Sequence, residues 1–303
     1  MNTNYEYLIK ILNKLKIKGT YHQMILNIFS NNSYFYENFF SKKNNLMNGG
    51  GEIELKKEIF TYQDYEFIIR TFRDSENNRI SIKISSKIYT DCLLMFIDPK
   101  INYVQINNLS NFPDCARNKI MPYNGGGKIL LNVAINFLRT NYNIYKRNRI
   151  VLADNSQIYC FDKNNKSIML SLAPLTTLKY GHTWYGLCGF RPYDDREKKP
   201  YNDGLRRYKE NYEKMQVLKL KDNVFIIKLI LDIETKFKYG IINKEIITNI
   251  IDGNREILVK DFIQKILKID KFCIIFQKIY IDIMIELKLH NFTGNLFYVD
   301  FKI

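Results

Sequence analysis

An α+β fold is what this sequence predicts: a mixed, mainly antiparallel sheet flanked by helices, with a helical C-terminal extension. Three observations lead there. From Glu52 to Ser110 apolar residues recur close to every second position, the period of half-buried strands. In "KILLNVAINFLR" the polar residues Lys128, Asn132, Asn136 and Arg139 fall on one narrow stripe, which predicts a helix buried over most of its circumference. From residue 222 to 290 the pattern is helical again, broken near Gly240 and at Asp252-Gly253.

Taken in order, residues 1–47 are an N-terminal helical segment, in which 4–41 alternate helical patches with Asn and Tyr before the loop "SKKNNLMNGGG" (Ser41 to Gly51). Residues 48–221 form the central domain. Its first strands are expected at Ile53–Phe60, Tyr65–Arg73, Arg79–Ser86, Leu93–Ile97 and Tyr103–Leu109, with turn chemistry in "DSENN" and "DPK". Consecutive strands joined by short turns make an antiparallel meander. After the helix at 128–139, "RIVLAD" (Arg149 to Asp154) fits a central strand. Strand, glycine loop, helix and strand form a right-handed crossover if the two strands pair in parallel. "IYCF" and "SIMLSL" flank the turn-like "DKNNK", Pro174 suits a helix start, and "PLTTLKYGHTWY" reads as a short helix. "CGF" begins a further strand, and "KMQVLKL" reads as the last one. Residues 222–303 are the helical extension.

The composition bounds what such a fold can do. The chain has 303 residues, 46% of them hydrophobic, enough for one large domain or two modest ones. A formal net charge of +15 admits an anionic partner, nucleic acid included. The lysines are spread along the chain, however, and no basic stripe interleaved with aromatics appears, so nucleic acid is not the favoured partner. Five cysteines stand without C-x-x-C spacing, and with three histidines no zinc pattern can be assembled, so no metal is expected. A scattered, odd set fits reduced thiols and a cytoplasmic location. The apolar segment "FCIIFQKIYIDIMIELK" carries Lys278, Asp282 and Glu286 at every fourth position, which makes it a buried helix and not a membrane span.

"MPYNGGGKILLNV" carries the chemistry. A helix start leaves unpaired backbone N–H groups and a partial positive charge, and glycines before it let the backbone approach a phosphate. Gly125, Gly126 and Gly127 stand there, although neither the Rossmann spacing nor the Walker A pattern is met. A second N-G-G-G, Asn48 to Gly51, shows that glycine runs in this chain also serve as plain loops.

Context adds to the motif. A strand meander, G-x-G at a helix start, a strand, a short helix and "WYGLCGF" together resemble the GNAT superfamily of acyl-CoA N-acyltransferases, over roughly residues 52–221. The family loop [RQ]-x-x-G-x-[GA] aligns with Pro122 to Gly127, with Pro122 at the Arg/Gln position, and the family's Y-x-x-x-G-F is matched by Tyr185, Gly189 and Phe190. Similar layouts occur among acetyltransferase-like proteins of large DNA viruses, which would place the protein in host cytoplasm or a virion.

The resemblance implies a GNAT-like sheet, direct transfer of an acetyl group from acetyl-CoA to an amine, and an acceptor of unread identity. It implies that Asn108 and Leu109 of the preceding strand, with Asn124, Gly125, Gly126, Gly127 and Lys128, receive the cofactor, and that Tyr185 protonates the departing thiolate. The amine must arrive neutral, so a base is required; Asp154, just after the central strand, and His182, expected on Tyr185's helix and face, are the candidates. The C-terminal helices are candidates for oligomer formation. Two other readings stand beside this one: a GNAT-fold protein that binds without catalysing, and a basic nucleic-acid-binding protein.

Overall fold

A computed structural model describes residues 51–86, 91–122, 124–161, 167–194, 199–251 and 256–301. The expected N-terminal helical segment, Asn48, the turn "DKNNK" and the break at Asp252-Gly253 lie outside the described residues. The chain divides into two compact units, Met1–Glu54 with Phe72–Asn78 and Leu55–Thr71 with Arg79–Ile303. In the first, Asp74 closes a turn by accepting the Glu76 N–H at 2.9 Å and the Asn77 side-chain amide at 3.0 Å. This is the aspartate turn chemistry read from "DSENN".

The second unit holds most of a large, mostly antiparallel sheet. Its strands are β1 (Glu52–Tyr62), β2 (Tyr65–Asp74), β3 (Ile80–Ser85), β4 (Asp91–Ile97), β5 (Val104–Leu109), β6 (Arg149–Ala153), β9 (Arg191–Asp194), β10 (Lys199–Pro200) and β11 (Leu296–Asp300). They lie in the order β1-β2-β3-β4-β5-β6-β11-β9-β10. A separate hairpin pairs β7 (Gln157–Phe161) with β8 (Ser167–Ser171). The helices among the described residues are α1 (Gly126–Thr140), α2 (Tyr142–Tyr145), α3 (Leu172–Tyr180), α4 (Trp184–Leu187), α5 (Asn202–Val217), α6 (Phe225–Phe237), α7 (Lys244–Ile251), α8 (Val259–Ile266) and α9 (Phe272–Glu286).

The meander forms where alternation predicted it, because alternate residues such as Phe67, Ile69, Ile82 and Ile84 are needed on one face of the sheet. Helix α1 packs on that face through Leu130, Val133, Ala134 and Phe137, all fully buried. Burying each large side chain contributes about 1.5–3 kcal/mol. Helices α3 and α5–α9 enclose a second core around Phe262, Phe272 and Phe276. In α9, Lys278, Asp282 and Glu286 are exposed as the sequence requires. No described helix is long and apolar enough to cross a membrane.

One strand assignment is corrected. "KMQVLKL" ends α5 and enters a short 3-10 turn, Leu220–Asp222. Helix continues there to Val217, with Met215 fully buried in the core formed with the C-terminal helices, after earlier turns in which Arg206 pairs with Asp203 and Glu210 and Lys209 with Glu213. The last strand is instead β11, which inserts between β6 and β9. Arg149 of β6 fixes its register with two hydrogen bonds to the Asp300 carboxylate, at 2.6 and 2.9 Å.

The cysteines are also corrected. Cys92 of β4 is bonded to Cys115 in the segment before α1, and Cys160 of β7 to Cys273 of α9, leaving Cys188 free. The partners stand 23 and 113 residues apart, so spacing carries no sign of them. Reducing agent is expected to lower stability, by about 3 kcal/mol for the Cys92–Cys115 loop. Unfolding curves with and without reductant check this, and identical curves would mean that the thiols are free in solution.

Candidate active site

The site begins where the sheet divides. β5 and β6 are the parallel pair, matched at Val104–Ile150, Gln105–Val151 and Ile106–Leu152. Their pairing stops there although β5 continues to Leu109. On its other side β5 shifts register against β4 between Leu94 and Met95. Such a shift bends a strand and re-aims its residues. The Asn108 side chain is held there, donating to the Asp91 carbonyl at 2.8 Å and accepting from the Ser110 hydroxyl at 3.0 Å.

Helix α1 starts beside this divergence. Gly125 has φ 92°, a conformation that disfavours any side chain, and open space lies beyond its Cα. Its carbonyl takes the amides of Lys128 and Ile129 at 3.0 and 3.1 Å. No described residue accepts from the amides of Gly126 and Gly127. A Cβ on Gly126 would lie 2.2 Å from the Asn111 side chain, which itself donates to the Pro122 carbonyl at 3.0 Å. A Cβ on Gly127 would lie 3.3 Å from the Trp184 ring and 3.5 Å from Leu109. So one glycine answers to backbone conformation and two to close packing. Asn124, Gly125 and Lys128 are exposed, whereas Gly126 is buried, so the accessible stretch is narrower than the sequence suggests.

The Gly127 contacts join the end of β5, the start of α1 and helix α4. Thr183 caps α4, its hydroxyl accepting the Gly186 amide at 3.1 Å. Tyr185 follows Trp184, with ring centroids 4.8 Å apart, and packs on Phe190 at 5.8 Å. Its phenol is nearly buried; burial pushes its pKa well above the ordinary value, and the Asp154 carboxylate and the Cys188 thiol push it further. The Cys188 thiol is itself raised by burial and drawn back by the Lys128 ammonium. Asp154, Tyr185, Cys188 and Lys128 are thereby linked, each within electrostatic reach of the next.

Asp154 is completely buried at the end of β6. Its Oδ1 accepts from the Ser156 hydroxyl at 2.5 Å, while its Oδ2 makes no hydrogen bond. Its backbone is clamped, donating to the Asn295 carbonyl at 2.9 Å and accepting from Gly294 at 2.8 Å. Burial raises the carboxyl to about 6, opposed by the Ser156 contacts and by the nearby Thr183 hydroxyl. A carboxyl near 6 is poised to take a proton at working pH.

His182 is placed differently from expectation. Helix α3 ends at Tyr180 and Gly181 breaks the chain with φ 78°, so His182 lies between helices and not on the helix of Tyr185. Its ring stacks between Tyr208 and Tyr212 at 5.0 and 4.5 Å. Burial lowers its pKa. Tyr208 and Thr183 are the members of the cluster that the sequence reading missed. The available sign was Tyr208 and Tyr212 one turn apart on a polar helix.

Comparison with protein-family models, with curated proteins and with solved structures finds no match.

Proposed function

We propose that this chain is an acyl-CoA-dependent N-acyltransferase of GNAT-like architecture, transferring acetyl from acetyl-CoA directly to an amine. The observation that carries the reading is the meeting of four sequence-predicted elements at one place. The end of β5 beyond its pairing with β6, the glycine entrance of α1, Tyr185 and Asp154 come together beside the point where β5 and β6 part. In this reading acetyl-CoA lies with its diphosphate at Gly125 and Lys128 and its thioester against the unpaired edge of Asn108 and Leu109. A backbone N–H there would stabilise the oxyanion as charge develops.

Asp154 takes the proton of the amine as nitrogen attacks the carbonyl, and Tyr185 returns one to the departing sulfur. A raised phenol alone would make that donation more uphill. The same burial raises a thiol, as Cys188 shows, so the two acidities move together. Asp154 is preferred to His182 as base because His182 is committed to an aromatic stack. The non-catalytic alternative draws support from Pro122 and from the packing roles of Gly126 and Gly127.

Millimolar acetyl-CoA is expected to raise the melting temperature, by binding the folded state alone. No shift would remove the cofactor assignment. With turnover established by release of free CoA, Tyr185→Phe is expected to lower kcat about 100-fold while leaving the acetyl-CoA thermal shift intact. An unchanged kcat would take the acid role away from Tyr185.

A further inference from the structure

The cations of α5 and the turn after it are matched by acids. Arg206 pairs with Asp203 and Glu210, Lys209 with Glu213, and Lys219 and Lys221 share Glu256. The end of α6 is different. Lys236 and Lys238 alternate there with Phe237 and Tyr239, and Lys278 reaches the same place from α9. None of these three ammonium groups pairs with a carboxylate among the described residues. Two of them rest on a ring instead. The Lys278 nitrogen stands 4.6 Å, and the Lys236 nitrogen 5.5 Å, from the centre of the Phe237 ring. Phe237 is 43% exposed, and Tyr239 lies nearly parallel to it, with ring centroids 5.5 Å apart.

The patch is held in shape by the chain beneath it. Glu234, the acid one turn back, accepts the amides of Gly240 at 2.5 Å, Ile241 at 3.2 Å and Ile242 at 3.4 Å. Its charge fixes the loop that carries Tyr239 and leaves the lysines unmatched. Tyr239 also packs against the helical core, so the ring pair is anchored on one side and open on the other.

We infer that Lys236, Phe237, Lys238, Tyr239 and Lys278 form a binding site for single-stranded nucleic acid. A cation over an exposed ring is held weakly. A nucleotide strand offers each group a better partner: a base stacks on the Phe237 ring, and the ammonium groups move onto the flanking phosphates. A duplex would leave the ring unused, because its base faces are hidden. The net charge of +15 favours the approach of a polyanion. Anionic lipid also offers phosphate, but the exposed apolar residues farther along α9, Ile281 and Ile285, stand beside the exposed acids Asp282 and Glu286. An anionic bilayer repels these. The alternation spans four residues and takes its third lysine from a distant helix, so it does not read as a basic stripe in the sequence. None of the five residues belongs to the glycine entrance or the Asp154 cluster, and the inference stands whether or not acetyl-CoA binds.

The test is titration of a fluorescently labelled deoxythymidine oligomer of about 12 nucleotides with the full chain, at salt concentrations from about 50 to 200 mM. The slope of log affinity against log salt is expected to shrink by about 0.7 in each of Lys236→Gln and Lys278→Gln. Affinity is expected to fall about tenfold in Phe237→Ala with the slope kept. Lys238→Gly removes a charge while relieving a left-handed backbone at φ 49°, so a smaller slope in that variant does not come from unfolding. Lys209→Gln removes the same charge from a paired site and is expected to leave the slope as it is. No binding at the lowest salt, an unchanged slope in the three patch-lysine variants, full affinity in Phe237→Ala, or an equal loss of slope in Lys209→Gln overturns the inference. So does an unbound oligomer together with binding to phosphatidylserine–phosphatidylcholine vesicles that Phe237→Ala abolishes, which would assign the patch to a membrane surface.

Discussion

Asp154→Asn is expected to stabilise the protein at neutral pH by about 2–3 kcal/mol. The sign follows from the direction of the shift. The folded carboxyl titrates at about 6, above its ordinary 3.8, so the folded state binds the proton more tightly than the unfolded state. The protonated group costs nothing extra below about pH 4. As pH rises from 4 to 6 the folded state must accept a buried charge, and stability falls; above about 7 the loss is complete. At 1.36 kcal/mol per unit the loss approaches about 3 kcal/mol, an upper figure because local rearrangement relieves part of it. Asparagine keeps the shape and never ionises, so the variant minus wild-type stability should be near zero at pH 4 and grow to its plateau by pH 7. A difference that is flat with pH would mean that the carboxyl is not strained by burial. If Asp154 is the base, kcat in the same variant drops by about 100-fold or more. A group that costs stability where an asparagine would not is most simply accounted for by function.

Gly181→Ala is expected to destabilise the fold by about 2–5 kcal/mol, for two separable reasons. Gly181 has φ 78°, where a side chain costs about 1–2 kcal/mol. Its Cβ would also stand 2.7 Å from the Cα of Tyr212 and 3.3 Å from the Asn211 carbonyl, both backbone atoms of α5. Helix α5 cannot slide away easily. The buried side chain of Asn211 donates to the His290 carbonyl at 2.7 Å and accepts the His290 amide at 2.8 Å. Overpacking against a held backbone adds about 1–3 kcal/mol. Gly189→Ala is the control, since Gly189 has φ 90° and no atom lies within 4 Å of where its methyl would stand. It should show the conformational cost alone. Equal losses in chemical denaturation would mean that α5 yields, and that the contact at Gly181 is not a rigid one.

The placement of much of the candidate site is legible because its parts are local. Gly125 could be placed at a helix entrance from the polar stripe Lys128, Asn132, Asn136 and Arg139 that follows it, and Asp154 at a strand end from the apolar run before it. Tyr185 is a candidate through the resemblance of Tyr185, Gly189 and Phe190 to the family's Y-x-x-x-G-F, and a turn from the Phe190 N–H to the Tyr185 carbonyl at 3.0 Å closes that spacing. His182 was misassigned because three residues of separation suggest one helical face only if the helix is continuous, and Gly181 interrupts it. Tyr208 escapes a sequence reading because the stretch from Arg191 to about Glu213 reads as a polar link, whereas the structure makes Asn202–Val217 a helix; the rings that cover Tyr208, Phe292 and Phe297, come from a distant part of the chain.

Periodicity is a property of neighbouring residues, so the sequence alone settled that a strand meander is followed by a buried helix, a central strand and a set of helices. Which strand fills the place between β6 and β9, which thiols meet, and why Gly126 and Gly127 lack side chains were decided only when Leu296–Asp300, Cys115, Asn111 and Trp184 came to rest beside distant partners. The burial of Asp154 belongs to the same class. A carboxylate written after an apolar strand carries no mark of its surroundings, and its acidity is set by the water that the assembled fold takes away.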